Sequence, residues 1–330
     1  MKYVFHLTFT LTSSAFTSVD TYLHGLPMRK MILPAALYCA SLSFACAALD
    51  TAKIDELTGL KGKLNDKEGV YKITWPRSDV KVVVDGWTMP PFMGLGTWAG
   101  FTGANERALM MGDTVLFEDE VNPVISVALD QGLSVTALHN HFFFDQPKVY
   151  FMHIEGQDSV EKLAMAVRKV YDKIKQIRAV DPKPANTFAQ KSLDEKSSIT
   201  AAPLNEIFGL QGEAKDGMVK FSIGHKAKMH DFEIGNDIGV NTWAAFAGSD
   251  DNAIIDGDFA VEEDQLQTAL KSLRRNGINI VAIHSHMTHE QPRILFFHYW
   301  GRGPAKQLAR EIQDALLASG LSGVSTEAQR

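Results

Sequence analysis

Gly277-Ile-Asn-Ile-Val-Ala-Ile-His284-Ser-His286-Met-Thr-His289-Glu290-Gln291-Pro292-Arg-Ile-Leu-Phe-Phe-His298-Tyr-Trp300-Gly301 reads as strand, turn, strand. Ile278 to Ile283 is β-branched and almost continuously apolar, the pattern of a buried strand. Gln291-Pro292 marks the turn, Arg293 to Trp300 forms the return strand, and Gly301 to Pro304 ends it. Upstream, Leu266, Ala269, Leu270 and Leu273 recur at helical spacing between Glu262 and Asn276, and Gly277 is a C-terminal stop. Downstream, Pro304 suits the first turn of a helix with Leu308, Ile312 and Leu316 inward.

The same order stands 145 residues earlier: Gly132 answers Gly277, Pro147 answers Pro292, and Gly156 answers Gly301. Val121, Val124, Ile125, Ala128 and Leu129 predict the first helix of that copy. Leu133–Leu138 and Val149–Ile154 predict its strand pair. Val160, Leu163, Val167, Val170, Ile174 and Ile177 predict its second helix, opened by an Asp158/Glu161 capping box. Further strands are predicted at Val70–Trp75, Val80–Val84 and Met218–Ile223, and around Trp98 and Trp243. The offset drifts to 148 at Lys72/Lys220 and to 150 at Gly59/Gly209, as small loop insertions produce. The fold class is therefore α+β: two homologous copies, each a largely antiparallel sheet with two helices in the order β-β-β-α-β-β-α. Copy one spans 48–177, a polar linker 178–203, and copy two 204–330.

Of the 330 residues, 45% are hydrophobic and 22% charged, and the net charge is −6 with no run of Lys or Arg. Nucleic acid is excluded as the main partner, because phosphate binding needs clustered cations. Residues 1–47 read as a leader. Arg29-Lys30, the apolar run Met31–Phe44 and Ala45-Cys46-Ala47 form an n-region, an h-region and a cleavage signal, with translation starting at Met28. The expectation is a periplasmic or secreted protein; an uncleaved anchor and lipidation at Cys46 are lesser alternatives. Both cysteines, Cys39 and Cys46, lie in the leader, so a mature chain has neither disulfides nor thiolate chemistry.

Chemistry concentrates in the duplicated hairpin, as His-x-His-x3-(Asp/Glu)-Gln-Pro-x5-His. His139 and His141, like His284 and His286, are two apart and share a strand face. His153 and His298 join them if the register sets Ala137 opposite His153; a slip of one residue sends them to the other face. The six histidines are candidate metal ligands, and Asp145 and Glu290 candidate ligands or general bases. Nitrogen and oxygen donors suit zinc first, then manganese or iron. Two other readings stay open, a metal-free ligand pocket and hydrogen-bonded residues closing a hairpin. Asp113 and Asp258, each after a glycine, are read first as turn or cap residues and second as site residues. His289 is a weaker candidate, because Phe144 stands opposite it in the alignment; His225 and His230 lack counterparts and are read as surface residues. No phosphate loop is present, so no nucleotide cofactor is expected.

ALHNHFFFDQPKVYFMH (137–153), MGDTVLFEDEVNPV (111–124), NTWAAFAG (241–248) and AIHSHMTHEQPRILFFHYWG (282–301) resemble the LppY/LpqO family, or DUF1259 domain, over nearly all of the mature chain. The resemblance implies an exported bacterial protein or lipoprotein and supplies no reaction. The expectation is two pseudo-equivalent metal sites in a hydrolase or oxidoreductase of a small polar substrate. The alternatives are a non-enzymatic envelope ligand-binding protein and a structural or interaction module.

Overall fold

The computed structural model describes residues 49–188 and 190–321; the expected leader lies outside them. Copy one runs α1 (Thr51–Thr58), β1 (Lys63–Asn65), β2 (Val70–Pro76), β3 (Val83–Val84), β4 (Trp87–Thr88), β5 (Gly96–Ala104), β6 (Arg107–Phe117), α2 (Glu118–Asp130), β7 (Ser134–His139), β8 (Asp145–Gln146), β9 (Val149–Asp158) and α3 (Val160–Val180). Copy two repeats it as α4 (Ala201–Phe208), β10 (Glu213–Lys215), β11 (Met218–Gly224), β12 (Ala227–Met229), β13 (Phe232–Ile234), β14 (Asn241–Gly248), β15 (Ala253–Glu262), α5 (Leu266–Arg275), β16 (Asn279–His284), β17 (Glu290–Gln291), β18 (Ile294–Gly303) and α6 (Ala305–Ala318).

Thirteen elements match the predicted order, and the additions are informative. Each copy opens with an eight-residue helix too short to leave a periodic signal; Asp50 caps the first at Lys53 N, and Gly59 ends it in the left-handed region. Each copy also carries β6 or β15, long strands at the middle of its sheet that the sequence reading took for a turn at Gly-Asp. The cap of α3 is Ser159, whose Oγ accepts from Lys162 N, while Asp158 accepts from Ser159 N. The predicted Asp158/Glu161 box is thus displaced by one residue.

A single twelve-stranded sheet joins the copies, in the order β1-β2-β5-β6-β9-β7-β16-β18-β15-β14-β11-β10. The central step pairs Leu138 of β7 with Ile283 of β16. Beyond that crossing each strand edge is taken by a side chain of the other copy. Asn122 of α2 bonds Ile280 N (2.7 Å) and O (3.1 Å), and Gln267 of α5 bonds Val135 N and O (both 2.9 Å). Asn122 and Gln267 are equivalent residues, so a pseudo-twofold relates the two latches, and the exposed strand edge is closed from both sides.

Alternation along the strands gives the sheet two unlike faces. Leu116, Met110, Ile154 and Met152, with Phe259, Phe297 and Tyr299 in copy two, face the six helices and form one core. On the other face Val115, Phe117, Val149 and Phe151 are roofed by the small sheet β4-β3-β8. Ala260, Ile294 and Phe296 are roofed likewise by β13-β12-β17. The histidines lie on this second, helix-free face.

A buried ion network supports copy one alone. Arg77 (1% exposed) makes two hydrogen bonds to Glu120 (0%), at 2.8 and 2.9 Å, and Arg178 lies 3.0 Å from the same carboxylate as an ion pair while bonding Asp119. Glu120 also accepts from Phe117 N at the start of α2. In copy two Gln265 accepts from Glu262 N, and His225 stands where Arg77 does, its backbone N bonding Val240 O as Arg77 N bonds Leu95 O. His225 is therefore no surface residue. It is half-buried, bonds Thr242 Oγ1 at 3.1 Å, and is held below the usual histidine range by burial.

Candidate metal centre

The register that decides the site is Ala137 opposite His153 and Ala282 opposite His298. On the outer side of those strands, His153 pairs with Asp113 and His298 with Asp258. One cross-strand row thus runs Trp98, Asp113, His153, Ala137, and its twin runs Trp243, Asp258, His298, Ala282. His139 and His284 follow two residues on, and His141 and His286 come from the loop just past the strand end.

Asp258, His284 and His286 bring donor atoms within 4.8 Å of one another. His286 Nε2 lies 3.1 Å from His284 Nε2 and 3.1 Å from Asp258 Oδ2. Its other nitrogen, Nδ1, is 3.2 Å from Gly239 O. A carbonyl only accepts, so Nδ1 carries the proton, and a neutral His286 turns a lone pair toward the carboxylate. Two acceptors facing each other at 3.1 Å repel unless a cation or a proton lies between them. The separation fits a shared ion: with Zn–N of about 2.0–2.1 Å, tetrahedral ligands stand roughly 3.3 Å apart. Asp258 Oδ1 and His284 Nδ1 are buried with no hydrogen-bond partner. His298 stacks on His284 at 4.9 Å and 12° and is fixed by its own Nδ1, 3.2 Å from Gly257 O.

Copy one repeats the histidine geometry, with Asp113 in the register position of Asp258, but among the described residues only the copy-two group brings its donor atoms within 4.8 Å of one another. His139 Nε2 and His141 Nε2 are 3.2 Å apart, and His153 stacks on His139 at 5.2 Å and 15°. Burial holds His139, His141 and His284 below the usual imidazole range, keeping them neutral and ready to ligate. Burial pushes the Asp113 carboxyl up, against the pull of His153, His141 and His139. Asp113 Oδ1 is buried and unpartnered, like its counterpart. Stacking fixes the exposed rings: His141 lies 3.3 Å over Phe151, and His286 lies 3.6 Å over Phe296.

The acid that joins the imidazoles is Asp113 or Asp258, and this corrects the expected placement of Asp145 and Glu290. Both are buried inside the loop, ahead of the cis peptides Gln146-Pro147 and Gln291-Pro292. Asp145 Oδ2 accepts from Val149 N at 2.6 Å and Oδ1 pairs with Lys148; Glu290 Oε1 accepts from Ile294 N at 3.2 Å. They tie the loop to β9 and β18. His289 is exposed and faces His230, ring centroids 5.8 Å apart, outside the tight group.

Gly112 and Gly257 explain why the Gly-Asp pair sits inside a strand. A Cβ at Gly257 would lie 2.2 Å from the Tyr299 ring and hydroxyl and 2.4 Å from Trp243 O. One at Gly112 would lie 2.7 Å from Trp98 O. The glycines admit close strand packing next to each aspartate.

A family model described as Domain of Unknown Function (DUF1259) matches residues 52–173 and again 202–318, and the chain belongs to that family as a tandem duplication. No curated protein matches the chain. A solved structure of a double ringed trimeric shell protein from the RMM microcompartment aligns at 12% identity over 67% of this chain and 84% of that one. Its TM-score of 0.18 is too low for the likeness to bear on fold or function.

Proposed function

We propose that the chain holds two pseudo-equivalent divalent-metal centres, Asp113/His139/His141 and Asp258/His284/His286, each backed by a third imidazole, His153 or His298. The observation that carries this is the pair of 3.1 Å separations at His286 Nε2, with its Nδ1 engaged by Gly239 O. Backbone carbonyls that fix the tautomer are the usual outer partners of ligating histidines. The donor set suits zinc, then manganese or iron. Such an ion supplies Lewis acidity on a helix-free, solvent-reached face, and the reaction class is hydrolysis or oxidoreduction of a small polar substrate. The leader pattern at Arg29 to Ala47 supports export to the periplasm, and the quoted motifs support the LppY/LpqO name within the DUF1259 family.

Metal analysis of native protein purified without a polyhistidine tag tests the reading. About two ions per chain are expected, falling to about one in His284→Ala plus His286→Ala. Less than about 0.2 per chain, unchanged in that variant, defeats it.

A further inference from the structure

A cavity of about 810 Å³ opens where the two copies meet. Copy one contributes Glu118 and Tyr150; copy two contributes Arg274, Asp256, Trp300 and His298. Its volume lies within the range of small-molecule sites.

Asp119 in its wall is paired with Arg178, whereas Arg274, Glu118 and Asp256 are outside the ion pairs of the described residues. Arg274 donates from Nε to Ser126 Oγ (3.1 Å) and from Nη1 to Ile278 O (2.7 Å) and Asn279 Oδ1 (3.1 Å). All three acceptors are neutral, and Nη2 takes no part in these bonds. Among the described residues Arg274 forms no ion pair, whereas Arg77 and Arg178 each sit on carboxylates. Desolvation alone acts on it, pushing its pKa down to about 10. Leu129 stands at the equivalent place in copy one, so this cation is particular to copy two. Glu118 and Asp256 are exposed and form no ion pair among the described residues. One half-buried guanidinium, two carboxylates nearer solvent and two aromatic side chains complement a ligand that carries a carboxylate, an ammonium and an apolar side chain.

We infer that this cavity binds a small zwitterion of amino-acid type, its carboxylate on Arg274, its ammonium on Glu118 and Asp256, and an apolar side chain against Tyr150 and Trp300. Because His298 lines the same cavity, the ligand would lie beside the copy-two metal centre. That link rests on the metal reading; the binding does not.

Isothermal titration of chelator-treated protein with L-phenylalanine, phenylpropionate and phenethylamine tests it. L-Phenylalanine binds, and each analogue, lacking one charge, binds about tenfold more weakly or worse, the loss of a charge-assisted bond. Arg274→Gln removes the preference for the carboxylate, while Arg274→Lys keeps part of it. Glu118→Gln weakens L-phenylalanine and phenethylamine and leaves phenylpropionate unchanged; it decides the matter if the Arg274 variants do not fold. No heat with L-phenylalanine up to about 10 mM overturns the proposal, as does phenylpropionate binding equally well. Because these titrations use metal-free protein, they stand whether or not the metal analysis succeeds.

Discussion

Zinc added to the metal-depleted chain should raise its melting temperature in two equal instalments. The main sheet is continuous through Leu138 and Ile283, and the Asn122 and Gln267 latches bind each copy to the other's strand edge. One cooperative transition therefore senses both centres. With free metal at about 100 times Kd, each site adds about 2.7 kcal/mol to the folded state and the two together about 5.4. For a chain of this size 1 kcal/mol moves Tm by roughly 2–4 °C, so the full shift is about 10–20 °C and one site gives about 5–10 °C. His286 and His141 are the residues to remove, since both are exposed. Each also stacks on a phenylalanine, a contact worth about 0.5–1.5 kcal/mol, so the increment on adding zinc is the quantity to compare. Scanning calorimetry of His286→Ala and of His141→Ala should show half the wild-type increment, and the double variant none. A double variant that keeps the full increment would mean that metal binds elsewhere, and the site reasoning would fail.

Three further outcomes follow from the same contacts. In the absence of metal, stability should fall as pH drops below about 6.5, because His139, His141 and His284 bind protons less readily folded than unfolded; a flat Tm between about pH 7 and 5 would contradict this. Glu120→Gln removes one carboxylate from Arg77, which keeps Asp79, and from Arg178, which keeps Asp119, and should cost about 1–3 kcal/mol by urea titration. Adding Arg77→His, which installs copy two's His225/Gln265 pair, should restore part of that, and a double variant no better than the single refutes the equivalence. Gly257→Ala drives a methyl into the buried Tyr299 ring, whose hydroxyl is held by Trp243 O at 2.9 Å, and should cost about 1–3 kcal/mol or more; Gly112→Ala, which meets no tyrosine, should cost less.

Much of this architecture was legible in the sequence because its signals are periodic. Leu266 to Leu273 and Val160 to Ile177 carry helical spacing, and Ile278 to Ile283 carries a strand, so those elements stand where the pattern puts them. The duplication was legible as an offset of 145 through the hairpin that drifts to 148 and 150 upstream. The middle strands were not: in Arg107–Phe117, Gly112-Asp113 interrupts the apolar run and mimics a turn. The interruption exists because the glycine lets Trp98 O approach and the aspartate faces histidines across the strand. An acid placed beside histidines thus interrupts the local pattern, which is why Gly-Asp reads as a turn in the sequence alone. Asp145 and Glu290 were overvalued because short spacing to histidine counts for little when the loop turns the carboxyl back onto its own backbone.

The two copies also discriminate between a structural hairpin and a site. Loop residues have diverged: Phe143 against Thr288, Phe144 against His289, Asp145 against Glu290, and the buried pair Arg77/Glu120 against His225/Gln265. The aspartate and three histidines are the same in both. A hairpin held for stability would set donors against acceptors. Here Asp113 Oδ1 and Asp258 Oδ1 are buried without partners, each costing about 1–3 kcal/mol, and His286 Nε2 stands 3.1 Å from Asp258 Oδ2. The proposed cation would supply the partner that the copy-two set lacks, where the donor atoms of Asp258, His284 and His286 already lie within 4.8 Å of one another.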